Sequence, residues 1–130
     1  MYCILTIMLV MFKSRGFSSV NLNPLDIINQ IRDLPITVFI NMLLFIPIGS
    51  CISIKSKSMT RSVLIFLLVI LSCEFSQYIF HLGILDIVDI ILNLCGFILG
   101  YLIIDYYKSC GWYIESSGNL FSIRKANPSI

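Results

Sequence analysis

Three apolar runs, 35–54, 62–82 and 87–107, dominate the chain, each close to the roughly 20 residues an α-helix needs to cross about 30 Å of hydrocarbon. Hydrocarbon offers no partners for backbone N–H and C=O groups, so segments of this kind are confined to helices that satisfy those groups internally. The rest of the composition agrees. Of 130 residues 58% are hydrophobic and only 12% charged, against about 25% charged in soluble domains. The expected fold is therefore all-α: a multipass transmembrane helical bundle of three full spans plus a partial N-terminal helix.

That first helix, 1–12, is apolar but rises only about 18 Å at 1.5 Å per residue, too little to span alone. A signal peptide is the rival, but it requires a basic stretch before the apolar run and a small-residue cleavage site after it, and neither is present. Residues 13–34 form the first polar stretch, expected on the extracytoplasmic side. Within it Asn23 followed by Pro24 has the form of a helix N-cap with proline at the first helical position. The short helix that follows sets Leu25, Ile28 and Ile31 along one side, with Asp26, Asn29, Gln30 and Asp33 away from it. That pattern suits a helix lying in the membrane interface, and an ordinary loop is the alternative.

Pro47 inside the first span removes a backbone donor and predicts a kink. Lys55, Lys57 and Arg61 mark a hinge before the next span, and the last two spans are separated only by a few residues around Gly83, as in a tight antiparallel hairpin. Lys and Arg favour the cytoplasmic side. With the hinge and a 108–130 cytoplasmic tail inside, six of the nine basic residues lie there and Lys13, Arg15 and Arg32 lie outside. Tyr106, Tyr107, Trp112 and Tyr113 then fall at the inner interface as aromatic anchors, or mark the end of a helix.

The net charge of +2 and the scatter of basic residues exclude a nucleic-acid partner, which demands a dense basic face. Cys3, Cys51, Cys73, Cys95 and Cys110 fall singly, without zinc-like spacing, and read as small hydrophobes. No cofactor or resident metal is indicated.

Polar side chains inside a span are costly, about 2.5–3.5 kcal/mol for a charged one on insertion scales, which makes them functional candidates. Glu74, Gln77 and His81 are spaced i, i+3, i+7, and so are Asp86, Asp89 and Asn93, which gives each helix a single polar stripe. In a hairpin turning at Gly83, Glu74 is expected opposite Asn93, Gln77 opposite Asp89 and His81 near Asp86. Asn41 lies close to the same end of its span and can join them. Gly96 and Gly100 form a GxxxG step for close backbone approach, with Gly49 and Pro47 as further packing positions. The expected product is an outward-facing polar pocket above a tight seam. Asn41, Gln77 and Asn93 could equally just fasten helices, and His81, at a helix end, suits an interfacial residue; three carboxylates exceed what fastening requires.

These motifs, Asn21-Leu22-Asn23-Pro24-Leu25, the segment from Asn41 to Gly49 with Pro47 inside it, Glu74-x-x-Gln77, and Asp86-x-x-Asp89-x-x-x-Asn93-x-x-Gly96-x-x-x-Gly100, cover roughly residues 20–104 in order. In that combination the chain resembles the VanZ-like family of bacterial integral membrane proteins. The resemblance implies a place in the cell envelope and a role in reduced susceptibility to glycopeptide antibiotics such as teicoplanin. Family members often carry an arginine shortly before the first aspartate, where this chain reads His81-Leu82-Gly83-Ile84-Leu85. The expected partners are membrane lipid, and an envelope precursor or lipoglycopeptide at the pocket. Two other classes fit the residues. One is a membrane enzyme on a lipid-linked envelope substrate, with Glu74 as general acid or base and the aspartates positioning substrate or holding Mg²⁺ or Ca²⁺. The other is a non-catalytic assembly partner that offers the glycine seam to a second membrane protein.

Overall fold

The computed structural model describes residues 20–81, 85–117 and 120–125; the expected partial helix at 1–12 lies outside them. The chain runs through β1 (Val20–Asn21), α1 (Asp26–Asp33), α2 (Pro35–Lys55), α3 (Met59–Ile79), β2 (Leu85–Asp86), α4 (Ile87–Ser109), β3 (Trp112–Ser117) and β4 (Leu120–Lys125). α2, α3 and α4 are each long and apolar enough to cross a membrane. The architecture is the expected membrane-helix bundle with two small β additions.

The span bounds shift where local capping decides them. α3 begins at Met59 and ends at Ile79, three residues earlier at each end than the apolar run suggests. Ser58, in an extended conformation, accepts a hydrogen bond from the Arg61 N–H and caps the helix, so the basic hinge shrinks to Ser56–Ser58 and Arg61 enters the first turn. At the far end His81 takes a left-handed φ of 53°, which ends the helix. α2 passes through Pro47 as one continuous helix, starting with Pro35 in its first turn. Regular α1 starts at Asp26, not directly after Asn23 as expected. Asn23 instead holds a turn ahead of the helix, its side-chain oxygen accepting from the Leu25 N–H at 3.2 Å, and Leu25 is the N-cap residue. The intervening turn is held by i→i+3 bonds from Asp26, Ile27 and Ile28 to Asn23, Pro24 and Leu25, the tight geometry common at helix starts.

The helices are not packed equally. α4 is the centre: it buries Val88, Leu92, Asn93, Gly96, Phe97, Gly100 and Tyr101, and it lies closest to α2. A Cβ placed on Gly96 would overlap the Met42 carbonyl, one on Gly100 the Ile46 carbonyl, and one on Gly49 the Phe97 carbonyl. Met42 to Ile46 and Gly96 to Gly100 both step forward by four residues, so α2 and α4 run parallel. The glycine Cα–H groups of each helix point at the other's carbonyl oxygens, the weak bonds that recur at close helix crossings. This corrects the expected hairpin seam. Gly96 and Gly100 receive the first span, and α3, although joined to α4 by the short turn, packs less closely on it.

α3 joins through side chains. Phe66 stacks on Phe97 with centroids 4.2 Å apart and meets Phe45 edge-on at 5.4 Å, and Ile70 and Tyr101 complete this core. A second cluster, Val38, Val88 and Leu92, sits toward the other end with Ile27 of α1 against it. The large apolar side chains turned outward, such as Ile36, Phe39, Leu64, Leu68 and Ile103, have no protein to cover them and suit lipid contact. Tyr106 and Tyr107 are exposed at the end of α4. Cys51, Cys73, Cys95 and Cys110 are free thiols. The tail forms an antiparallel hairpin that pairs Trp112 with Lys125 and Ser117 with Leu120.

Candidate functional site

The polar positions gather at the end of the bundle where α2 and α4 start and α3 finishes. On α2 the buried stripe is Val38, Asn41, Phe45, Gly49 and Ser53; on α3 it is Ser62, Phe66, Ile70, Glu74 and Gln77. Both repeat every three or four residues, so Asn41, Glu74 and Gln77 are inward because they continue the faces that Phe45, Phe66 and Ile70 bury. Glu74 is 2% exposed, Asn93 3% and Gln77 5%. Burial of so many polar groups in a small bundle requires partners.

One partnership defines the site. Asn41 Nδ2 donates to Asp89 Oδ1 at 2.7 Å, joining the first span to the third. Asn41, expected to join from its span, is thus the residue that reaches Asp89, and it can do so because the glycine seam a few residues further along brings α2 and α4 together.

Asp86 has a different position from the one expected. It is the N-cap of α4, with Oδ1 accepting from the Val88 N–H at 2.9 Å, while Oδ2 accepts from Gln30 Nε2 of α1 at 2.9 Å. A carboxylate suits a helix N-terminus, where backbone donors and the helix dipole favour negative charge. His81, expected near Asp86, is instead exposed in the turn after α3.

Gln30 is the residue sequence reasoning missed. The helical pattern puts it among the polar side chains facing away from the membrane, yet that face is the one α1 turns toward the bundle. Ile27 reaches the second core cluster, while Leu25, Ile28 and Ile31 remain exposed. β1 adds to this cover by pairing with β2 in parallel, Val20 with Leu85 and Asn21 with Asp86. Asp26 anchors the segment, accepting from Asn21 Nδ2 at 3.0 Å and Asn23 Nδ2 at 3.1 Å. The Asn21-Leu22-Asn23-Pro24-Leu25 motif therefore has a physical role, because its two asparagines and Asp26 fold the entry strand back over the start of α4. The site is a polar layer, buried Asn41, Glu74, Gln77 and Asn93 with half-buried Asp89, beneath a cap built from residues 20–33.

The model of one family, VanZ/LLP1, matches residues 1–108. The chain belongs to the VanZ/LLP1 family. The match takes in the three spans up to Lys108 and the whole polar layer, leaving out residues 109–130. No curated protein and no solved structure matches the chain, so the roles of residues in this VanZ-like membrane protein are argued from its own geometry. That geometry bears on the alternatives. Among the described residues no three His, Cys, Asp or Glu side chains are grouped to hold a metal ion. Gly96 and Gly100 are occupied by α2 of the same chain, which removes the seam as a docking surface for a second protein.

Proposed function

We propose that this VanZ-like protein acts in the bacterial cytoplasmic membrane, where its polar layer opens toward the outside, binds an envelope component and so lowers susceptibility to glycopeptide antibiotics such as teicoplanin. The observation that carries the proposal is the Asn41–Asp89 bond, set among buried Glu74, Gln77 and Asn93 at one end of three apolar helices. Fastening three helices needs far less. Here a carboxylate and several amides share one depth, at a cost that stability alone does not call for.

The orientation rests on charge. Lys55, Lys57 and Arg61 lie in or beside the hinge, and Lys108, Arg124 and Lys125 at or after the end of α4, a bias that supports an orientation with that end inside and the polar layer in the outer half. An envelope precursor or a lipid-anchored glycopeptide approaches from the outer leaflet. It would meet first the α1 cap, whose exposed Leu25, Ile28 and Ile31 suit burial in the interface, and then the amides and carboxylates behind it.

The test is genetic and chemical together. Deletion of the gene is expected to raise teicoplanin sensitivity, the unaltered gene to restore resistance, and the Asp86→Asn, Asp89→Asn variant to fail although it reaches the membrane in equal amount. Unchanged susceptibility and unchanged surface labelling in both the deletion and the variant would overturn the proposal.

A further inference from the structure

At the opposite end of the bundle α2 and α3 part. Between them lies a cavity of about 660 Å³, open to the side, with Phe97 of α4 among its lining residues, inside the range of about 300–1,000 Å³ typical of small-molecule sites. Along α2 it extends from Phe45 to Lys55, about 15 Å at 1.5 Å per residue, which is half the roughly 30 Å hydrocarbon core and hence one leaflet. Its walls are apolar through most of that depth, with Ile48, Ile52, Ile65 and Val69 among them.

The mouth has the opposite character. Lys55, Lys57 and Arg61 line it with the hydroxyls of Ser56, Ser58 and Ser62, and no acidic side chain does. None of the three cations makes an ion pair among the described residues. The start of α3 adds the positive end of a helix dipole at the same point. The negative end of α2 beside it is answered from within the chain, because Lys108 Nζ donates to the Ser53 carbonyl. A slot one leaflet deep, apolar within and cationic at its rim, is complementary to an amphiphile with one long apolar chain and an anionic head.

We infer that this groove binds an anionic phospholipid of the leaflet at the hinge end, one acyl chain lying between α2 and α3 and the phosphate among Lys55, Lys57, Arg61 and the serine hydroxyls. Under the charge-based orientation this is the cytoplasmic leaflet, whose anionic lipids attract basic residues near the surface. The site is distinct from the polar layer and does not depend on the role proposed for that layer. Its lipid closes the gap that Phe66 and Ile70 alone leave between two spans.

The full chain reconstituted in phosphatidylcholine bilayers, with trace phosphatidylglycerol or phosphatidylcholine spin-labelled on the acyl chain, reads the site by electron paramagnetic resonance. The native chain is expected to hold labelled phosphatidylglycerol in a motionally restricted population, at least about tenfold in preference to phosphatidylcholine and less so at high salt. Lys55→Gln, Lys57→Gln, Arg61→Gln should abolish the preference, and the charge-preserving Lys55→Arg, Lys57→Arg should keep it, which separates loss of charge from loss of fold. Val69→Trp should fill the slot and remove the restricted population with the charges in place. A preference that survives neutralisation, one that is lost in the charge-preserving variant with helix content intact, or a restricted population unaffected by Val69→Trp would overturn the inference; the last would mean that the restricted lipid sits outside the groove.

Discussion

Asp86 divides its two oxygens between the backbone of α4 and the side chain of Gln30, which makes it the joint between the α1 cap and the bundle. Replacing Gln30 with Ala leaves a partly buried carboxylate oxygen without its side-chain donor, a loss of about 1–3 kcal/mol. Because the bond tethers one short helix with no buried residue of its own, the loss is expected as local opening. Amide hydrogen exchange should quicken by about tenfold or more across residues 26–33 and stay unchanged in α2 and α4; uniform protection throughout would contradict the tether. Ser58 holds the start of α3 in a similar way, and Ser58→Ala is expected to cost about 1 kcal/mol, seen as a lower midpoint in detergent-induced unfolding. At this scale the sequence was legible wherever chemistry is local. Asn23 before Pro24 announced a turn ahead of α1, and the i, i+3 spacing of Glu74 and Gln77 announced their shared buried face on α3. Gln30 was not legible, because its partner lies more than fifty residues away and only the docking of α1 decides which face of a short helix is inward.

Among the elements, the parallel α2–α4 contact governs the rest. Gly49, Gly96 and Gly100 each stand where a methyl group would enter a carbonyl of the facing helix, so Gly100→Ala must push two backbones apart, at about 1–3 kcal/mol by the usual cost of overpacking. Thermal unfolding in detergent should show the loss, and Gly96→Ala, Gly100→Ala together should cost less than the sum of the two, since one separation accommodates both. A Gly100→Ala protein as stable as the native one would place the seam elsewhere. The sequence displayed the glycines but not their partner. A short turn around Gly83 makes α3 the obvious neighbour of α4, yet adjacency along the chain ensures only that two helices meet, not that they meet closely. Close approach needs small residues on one side and an open backbone face on the other, and α2 supplies that face along Met42 and Ile46 with its own Gly49 in the same seam. The tail hairpin was illegible for a different reason: its pairing of 112–117 with 120–125 is held by backbone bonds, which leave no periodic hydrophobic signature.

For the whole molecule, two ends of one bundle have opposite chemistry. The end where α2 and α4 begin carries carboxylates and amides under a folded cap, and the hinge end carries cations around an apolar slot. The spans expected from hydrophobic runs, and the family they resemble, both hold. What changes is the manner in which the polar layer is assembled: a long-range contact between the first and third spans contributes Asn41 to Asp89, and α3 brings Glu74 and Gln77 alongside through its buried stripe.

That assembly is tested most directly by a double-mutant cycle between Asn41 and Asp89, read as unfolding free energy in mixed micelles. Interhelical hydrogen bonds in membrane proteins contribute about 0.6 kcal/mol on average and up to about 1.7 kcal/mol. The bond predicts that Asn41→Ala and Asp89→Ala each destabilise, and that the double variant is more stable than additivity allows by an amount in that range. Strict additivity would contradict a direct contact between the two spans at this depth, and with it the shared polar layer.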